Sequence, residues 1–168
     1  MQLMPRSFAF TTELDHHVRD VHAALIDERY WLDRVADRAS ATAVVEEPHG
    51  PGTLRVTVTD RSEPSELPSI VRGMLRGPLV IERTDEWGPL MGEAAEGRLS
   101  GGATGLPVAL EGRSRLRVSE TGGTFIDVQG QVVVRVPLLG GRIESMVHGM
   151  VLQIVENDRI AIAAWLSR

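Results

Sequence analysis

Strict alternation and helical spacing exchange places along this chain, and each exchange marks an element. Ser7 to Leu14 alternates, with Phe8 and Phe10 on one face and Ser7, Ala9 and Thr11 on the other, which predicts a strand. Asp15 then predicts an N-cap for a helix over His16 to Ile26, whose Val18, Val21, His22 and Leu25 share one side. Asp27 predicts the cap of a second helix, Glu28 to Arg38, with Trp31, Leu32 and Val35 as its apolar stripe. After Ala39 the period becomes that of a strand. Ala41 to Glu47 and Thr53 to Arg61 flank the turn-forming run Pro48-His49-Gly50-Pro51-Gly52, and in the second Leu54, Val56 and Val58 alternate with Arg55, Thr57 and Thr59.

Ser62 to Gly77 interrupts the strands with Pro64, Pro68 and an apolar set at helical spacing, Ile70, Val71, Met74 and Leu75, which predicts one short amphipathic helix on a loop. Strands resume at Leu79 to Trp87, Gly92 to Ser100, Val108 to Val118 and Thr124 to Val136. Their glycine-rich links, including Gly101-Gly102 with Gly105 and Gly122-Gly123, suit hairpins and therefore antiparallel neighbours. Pro137 to Gly141 closes this series, and a helix from Arg142 to Leu166 follows, roughly 38 Å long. Ile143, Met146, Val147, Met150, Val151, Ile154, Ala161 and Trp165 share one of its sides.

One strand, two short helices, six strands and one long helix specify an α+β fold. The economical arrangement is a strongly bent seven-stranded antiparallel sheet wrapped around the C-terminal helix, with Gly112 and Gly130 as bend points. No repeat or interdomain linker interrupts residues 1–168, so a single domain is expected.

Composition narrows function by exclusion. A formal net charge of −5 argues against a nucleic-acid binder acting through bulk charge. The chain contains no cysteine, which removes thiol nucleophiles, disulfides and thiolate metal sites. All 18 basic residues are arginine. The longest apolar run, Ile160 to Leu166, is far shorter than a membrane span, and Met1 to Phe10 lacks the apolar core of a signal peptide, so a cytoplasmic protein is expected.

The element order resembles the START-like (SRPBCC) superfamily, the helix-grip fold of lipid-transfer domains, plant pollen allergens and polyketide cyclases. The resemblance spans the whole chain. The segments MPRSFAF, IVRGMLRG, IERTDEW and VPLLGGRIESMV are similar to a bacterial family of unknown function within it. The resemblance implies a deep apolar cavity between sheet and C-terminal helix, with its mouth near the loop after the third strand. Members of the superfamily bind or carry lipids, sterols, hormones or polyketides, and some catalyse cyclisation or dehydration. In this chain aromatic residues are only 4%, so few bulky groups exist to fill such a space, although Met146 and Met150 at helical spacing also suit an ordinary core.

No motif points strongly to chemistry. His16, His17, His22, His49 and His148 form no metal-binding spacing, so no metal or cofactor is expected. Gly101 to Gly105 lies between strands and opens no helix, which leaves a phosphate loop without its context. Gly140-Gly141 does precede a helix, beside Arg142, where an anion could rest on the amides, but a glycine-rich turn that aims the helix is the favoured explanation. Arg113, Arg115 and Arg117 alternate outward with no aromatic partners for stacking bases, as on a solvated face. Arg83 and Asp85 share strand parity with Leu79 and Ile81 and so point inward, while Asp158, near the inner side of the long helix, requires an arginine, His22 or a backbone amide.

The first expectation is a non-catalytic binder or carrier of a hydrophobic small molecule, lipid-like or polyketide-like. Ile70, Met74 and Leu75 would gate it, Leu110, Met146, Met150 and Ile154 would line it, and Arg83 would orient a polar group. The alternatives are a cyclase or dehydratase-type enzyme, for which Arg83 with Asp85 is the place to look, and a protein-interaction module. In the last, the 62–77 segment would form the interface, as it would in a homodimer.

Overall fold

The computed structural model describes residues 5–135 and 140–168. Nine residues alternate in β1 (Arg6–Leu14), and the chain then turns into α1 (Val18–Leu25) and α2 (Glu28–Val35). Strands β2 (Ala41–Glu46) and β3 (Leu54–Ser62) form a hairpin, followed by a 3-10 turn at Pro64–Glu66 and the single turn of α3 (Ser69–Arg72). β4 (Leu79–Trp87), β5 (Ala95–Thr104), β6 (Leu106–Val118) and β7 (Thr124–Val134) lead to α4 (Gly140–Leu166).

All seven strands form one antiparallel sheet in the order β1-β7-β6-β5-β4-β3-β2. β2 to β7 is a meander of neighbours, whereas β1 pairs with β7 at the opposite edge. The α1–α2 pair therefore carries the chain from one edge of the sheet to the other. α4 packs on β1, β7 and α1. Phe8, Val56, Leu116, Val132 and Val134 on the sheet meet Val18, Val21, Val151 and Ile162 of the helices in one buried cluster. This is the expected α+β helix-grip arrangement, with the two short helices directly after the first strand.

Gly112 and Gly130 face each other across β6 and β7. A Cβ on Gly130 would collide with Glu111 O and lie 2.8 Å from Phe8 Cζ, and one on Gly112 would lie 2.6 Å from Gln129 O. Two strands approach here more closely than any side chain permits, and Phe8 packs into the space a side chain would occupy.

Several local expectations are corrected. His17, not Asp15, caps α1, its Nδ1 accepting from Arg19 N at 3.2 Å, so His16 and His17 precede the helix instead of riding on its surface. Asp27 does cap α2, accepting from Arg29 N at 2.9 Å, but that helix stops at Val35. Its buried side belongs to Tyr30 and Trp31, while Leu32 is exposed, because Tyr30 packs edge-on between Trp31 and Trp165 and sets the rotation of the helix. Gly101 to Thr104 continue β5 instead of forming a loop, and Gly105 alone turns the hairpin, with a φ of 94° that favours glycine. The 62–77 segment makes a 3-10 turn and one helical turn, not a single amphipathic helix. The expected turn at Pro137 to Gly141 and the end of the last strand at Val136 fall on or beside residues outside those described. Among the described residues, no helix is long and apolar enough to cross a membrane, and no cluster of three or more His, Asp or Glu is placed to hold a metal ion.

Candidate functional site: an apolar space with a charged floor

The inner face of the sheet and the inner side of α4 are both regular, and their periods generate the site. Along β4 the inward positions are Leu79, Ile81, Arg83, Asp85 and Trp87. Along α4 the spacing of four places Met146, Met150, Ile154, Asp158 and Ile162 in one row, with Val147, Val151 and Val155 beside it. Between these two surfaces lies a cavity of about 390 Å³, whose lining also includes Leu67, Pro68 and Val71 from around the 3-10 turn and α3. Gly101 and Gly102 of β5 also line it, and at Gly101, in step with the inward Leu99, backbone stands where a side chain would otherwise intrude.

Of the residues expected from sequence, the structure brings Arg83, Leu110, Met146, Met150 and Ile154 to this one space. Met150 lines it and is also 42% exposed, which places it where the space meets solvent. Met74 and Leu75 are not among the lining residues. They pack instead beside a small second cluster of Val71, Leu79 and Leu106. The side chain of Ile70 lies outside what the structure describes. Sequence reasoning missed Trp31 and Trp87, which both line the cavity, and Val71, which reaches it from α3. Strand parity with Asp85 marks Trp87; Trp31 and Val71 stand in the apolar stripes of their own segments, a signal of burial that does not point to this space.

Two positions in the β4 row, Arg83 and Asp85, and one in the α4 row, Asp158, break the apolar pattern, and the three meet. Arg83 Nη2 donates to Asp158 Oδ2 at 2.5 Å and to Asp85 Oδ1 at 2.9 Å, and its Nη1 donates to Asp158 Oδ1 at 3.3 Å. Arg34 reaches in from α2, its Nη1 donating to Asp158 Oδ1 at 2.5 Å, with its guanidinium 5.8 Å from the Tyr30 and Trp31 ring centres. Asp158 thus has the arginine partner that its position required. Arg83 Nε and Asp85 Oδ2 are 2.6 Å apart but not aligned for a hydrogen bond, so each stays a buried polar atom without one. The Tyr30 hydroxyl is a third such atom, and burial pushes it above its ordinary range.

The two carboxyls are driven apart. Burial raises Asp85, and repulsion from Asp158 adds to this, while Arg83 acts in the opposite direction without cancelling it. Burial also acts to raise Asp158, but attraction to Arg83 and then Arg34 outweighs it and holds the group below its ordinary range. Burial likewise opposes the Arg83 charge, yet its two carboxylates keep that guanidinium protonated.

Elsewhere the polar expectations sort simply. His22 is buried beneath α1, its Nε2 hydrogen-bonded to Gly88 O at 2.9 Å. His148 is half-buried against Phe10, with ring centres 5.3 Å apart. Arg113 and Arg115 are exposed on the outer face, and Arg117 there pairs with Asp127.

A model of the family described as "Protein of unknown function (DUF2505)" matches residues 9–166. The chain belongs to that family. An uncharacterized protein of Mycobacterium tuberculosis, Rv0481c, is 28% identical to this DUF2505 chain over 171 residues, covering 98% of each. Among solved structures, TTHA0849 from Thermus thermophilus superposes with a TM-score of 0.61 at 12% identity, covering 96% of this chain and 97% of that one. A START superfamily protein from Mycobacterium smegmatis gives a TM-score of 0.54 at 15% identity, covering 96% and 97%. The DUF2505 chain therefore has the START-like (SRPBCC) helix-grip fold.

Proposed function

We propose that this DUF2505 protein binds or carries a hydrophobic small molecule, lipid-like or polyketide-like, in the space between the sheet and α4. The observation that carries the reading is that space itself, about 390 Å³ and lined mainly by Leu, Ile, Val, Met and Trp. Burying a ligand's apolar surface there supplies roughly 25 cal/mol per Å² before the costs of association. Methionines 146 and 150 add an adaptable wall, since an unbranched thioether repacks readily around different shapes. Ile70, Met74 and Leu75 belong to the segment that would yield to admit the ligand, and a homodimer would cover the same segment.

Native mass spectrometry of protein purified from its own host, followed by organic extraction, tests the reading. A co-purifying apolar molecule at near-stoichiometric amount is expected. Met150→Trp, which places an indole at the opening, lowers uptake sharply while the fold survives; unchanged uptake overturns the assignment.

A second reading, an acid–base enzyme of cyclase or dehydratase type, is favoured by Asp85 and Asp158 lining the same space with proton affinities driven in opposite directions, because two carboxyls so separated can divide the roles of acid and base. Conversion of the extracted molecule by the intact protein, lost in Asp85→Asn, would favour it over carriage.

A further inference from the structure

The charged floor of the cavity constrains which ligand fits, and this inference rests on the binding reading above. Arg34, Arg83, Asp85 and Asp158 comprise two cations and two anions, so the cluster is balanced without a guest. Arg83, the cation that lines the cavity, already directs three hydrogen bonds to the two carboxylates. Each carboxylate has room for several bonds, and Asp85 receives an aligned one on Oδ1 alone. Arg83 Nε also lacks an aligned bond, but it stands 2.6 Å from Asp85 Oδ2 and is engaged by that charge, so the spare capacity open to a guest at this end is mainly that of the carboxylate acceptors, which call for a proton donor. Asp158, whose side chain keeps 21% of its exposure, and Asp85 both line the cavity. The rest of the lining offers little to solvate a net charge.

We infer that this end of the cavity selects an uncharged ligand whose polar terminus is a hydroxyl, donated to Asp85 or Asp158, and rejects a ligand of equal apolar length that ends in a carboxylate. An anionic terminus would meet two carboxylates and an arginine already engaged by both. Displacing either carboxylate from Arg83 would leave a buried charge without its partner, which costs more than the new contact returns. A hydroxyl asks for no such exchange and satisfies an acceptor with capacity to spare.

The test is a fluorescence titration of the whole protein with dodecanol, dodecanoate and dodecylamine at neutral pH, read through Trp31 and Trp87, which line the cavity. Dodecanol is expected to bind at least about tenfold more tightly than dodecanoate, the factor that corresponds to one modest hydrogen bond. Asp85→Asn removes one negative charge from the floor and shifts the ratio towards dodecanoate. If that variant does not fold, the wild-type series decides alone. Dodecanoate binding as tightly as dodecanol overturns the inference while leaving the cavity as a binding site, and so does a preference for dodecylamine. Failure of all three to bind overturns the binding reading together with this one.

Discussion

Two arginine–aspartate clusters on this sheet use the same groups at the same distances and do different things. On the outer face, Arg117 Nε donates to Asp127 Oδ2 at 2.6 Å, and Thr11 Oγ1 donates to Asp127 Oδ1 at 2.8 Å, with about a third or more of each charged side chain near water. Under α4, Arg83 and Asp158 meet at 2.5 Å with about four-fifths of each side chain removed from solvent. Water screens the first pair and reduces its worth to little. The second group must compensate its own desolvation, so its members depend on one another. The lesson is that the contact distance says almost nothing about energetic weight; burial and the number of shared partners decide it.

The contrast can be broken at four points. Asp158→Ala strands Arg34 and leaves Arg83 with Asp85 alone, and should cost about 3–5 kcal/mol in urea denaturation, the penalty for unpairing a buried charge. Replacing Arg83 and Asp85 together by Met and Leu should cost much less than that, since a matched pair leaves as one and Asp158 keeps Arg34. A double-mutant cycle reads the difference, and a cost equal to that of Asp158→Ala would show the cluster to be more than the sum of its pairs. Tyr30→Phe removes a buried hydroxyl that has no partner, so stability should stay level or rise by up to about 1 kcal/mol. A clear loss would mean that the hydroxyl holds a bound molecule. Asp127→Ala should have the smallest effect, roughly a fifth or less of that of Asp158→Ala, and added salt should erase it.

Acid titration sharpens the same contrast. The Arg117 hydrogen bond lowers the Asp127 carboxyl, burial opposes this weakly, and Thr11 assists. A folded value below the unfolded one means that the unfolded chain binds more protons over the interval between them. The contribution is therefore complete above the ordinary aspartate value of about 3.9 and is lost as pH falls through the depressed one. Asp158 follows the same sign. Asp85, raised in the folded state, follows the opposite one: its contribution improves as pH falls from its raised value towards the ordinary range. Asp127→Asn should thus flatten the acid limb of the stability profile slightly, whereas Asp85→Asn should raise stability most on the neutral side of that limb if its partners hold.

Much of the fold was legible because its signals are periodic and local. Leu54, Val56 and Val58 announce a strand with one wet face, and the row from Met146 to Ile162 announces a helix with one covered side. The inward direction of Arg83 and Asp85 follows from parity with Leu79, and the need of Asp158 for an arginine follows from the cost of burying a lone charge. Other features depend on tertiary contacts that no spacing encodes. Arg34 joins the cluster only because Tyr30, wedged against Trp31 and Trp165, fixes how α2 is rotated, and the same wedge leaves Leu32 in water. His17 displaces Asp15 as a cap through a side-chain geometry that residue identity alone ranks the other way. Gly101 and Gly102 read as turn residues by composition, yet β4 and β6 on either side hold them in the sheet.

The pairing of β1 with β7 has a consequence in time as well as in space. Every other strand in the sheet bonds to its neighbour in the chain, the longest connection being the 63–78 segment between β3 and β4, still far shorter than the meander. Phe8 must instead find Gly130, with nearly the whole meander between them. Contacts of that separation cost chain entropy before they return any energy, and they slow folding accordingly. The first strand is therefore expected to join last, leaving Gly130 without Phe8 against it and one edge of β7 open until then. Pulse-labelled hydrogen exchange would record this as amides of β3 to β6 protected ahead of those of β1, a chain whose opening residues wait for nearly all that follows.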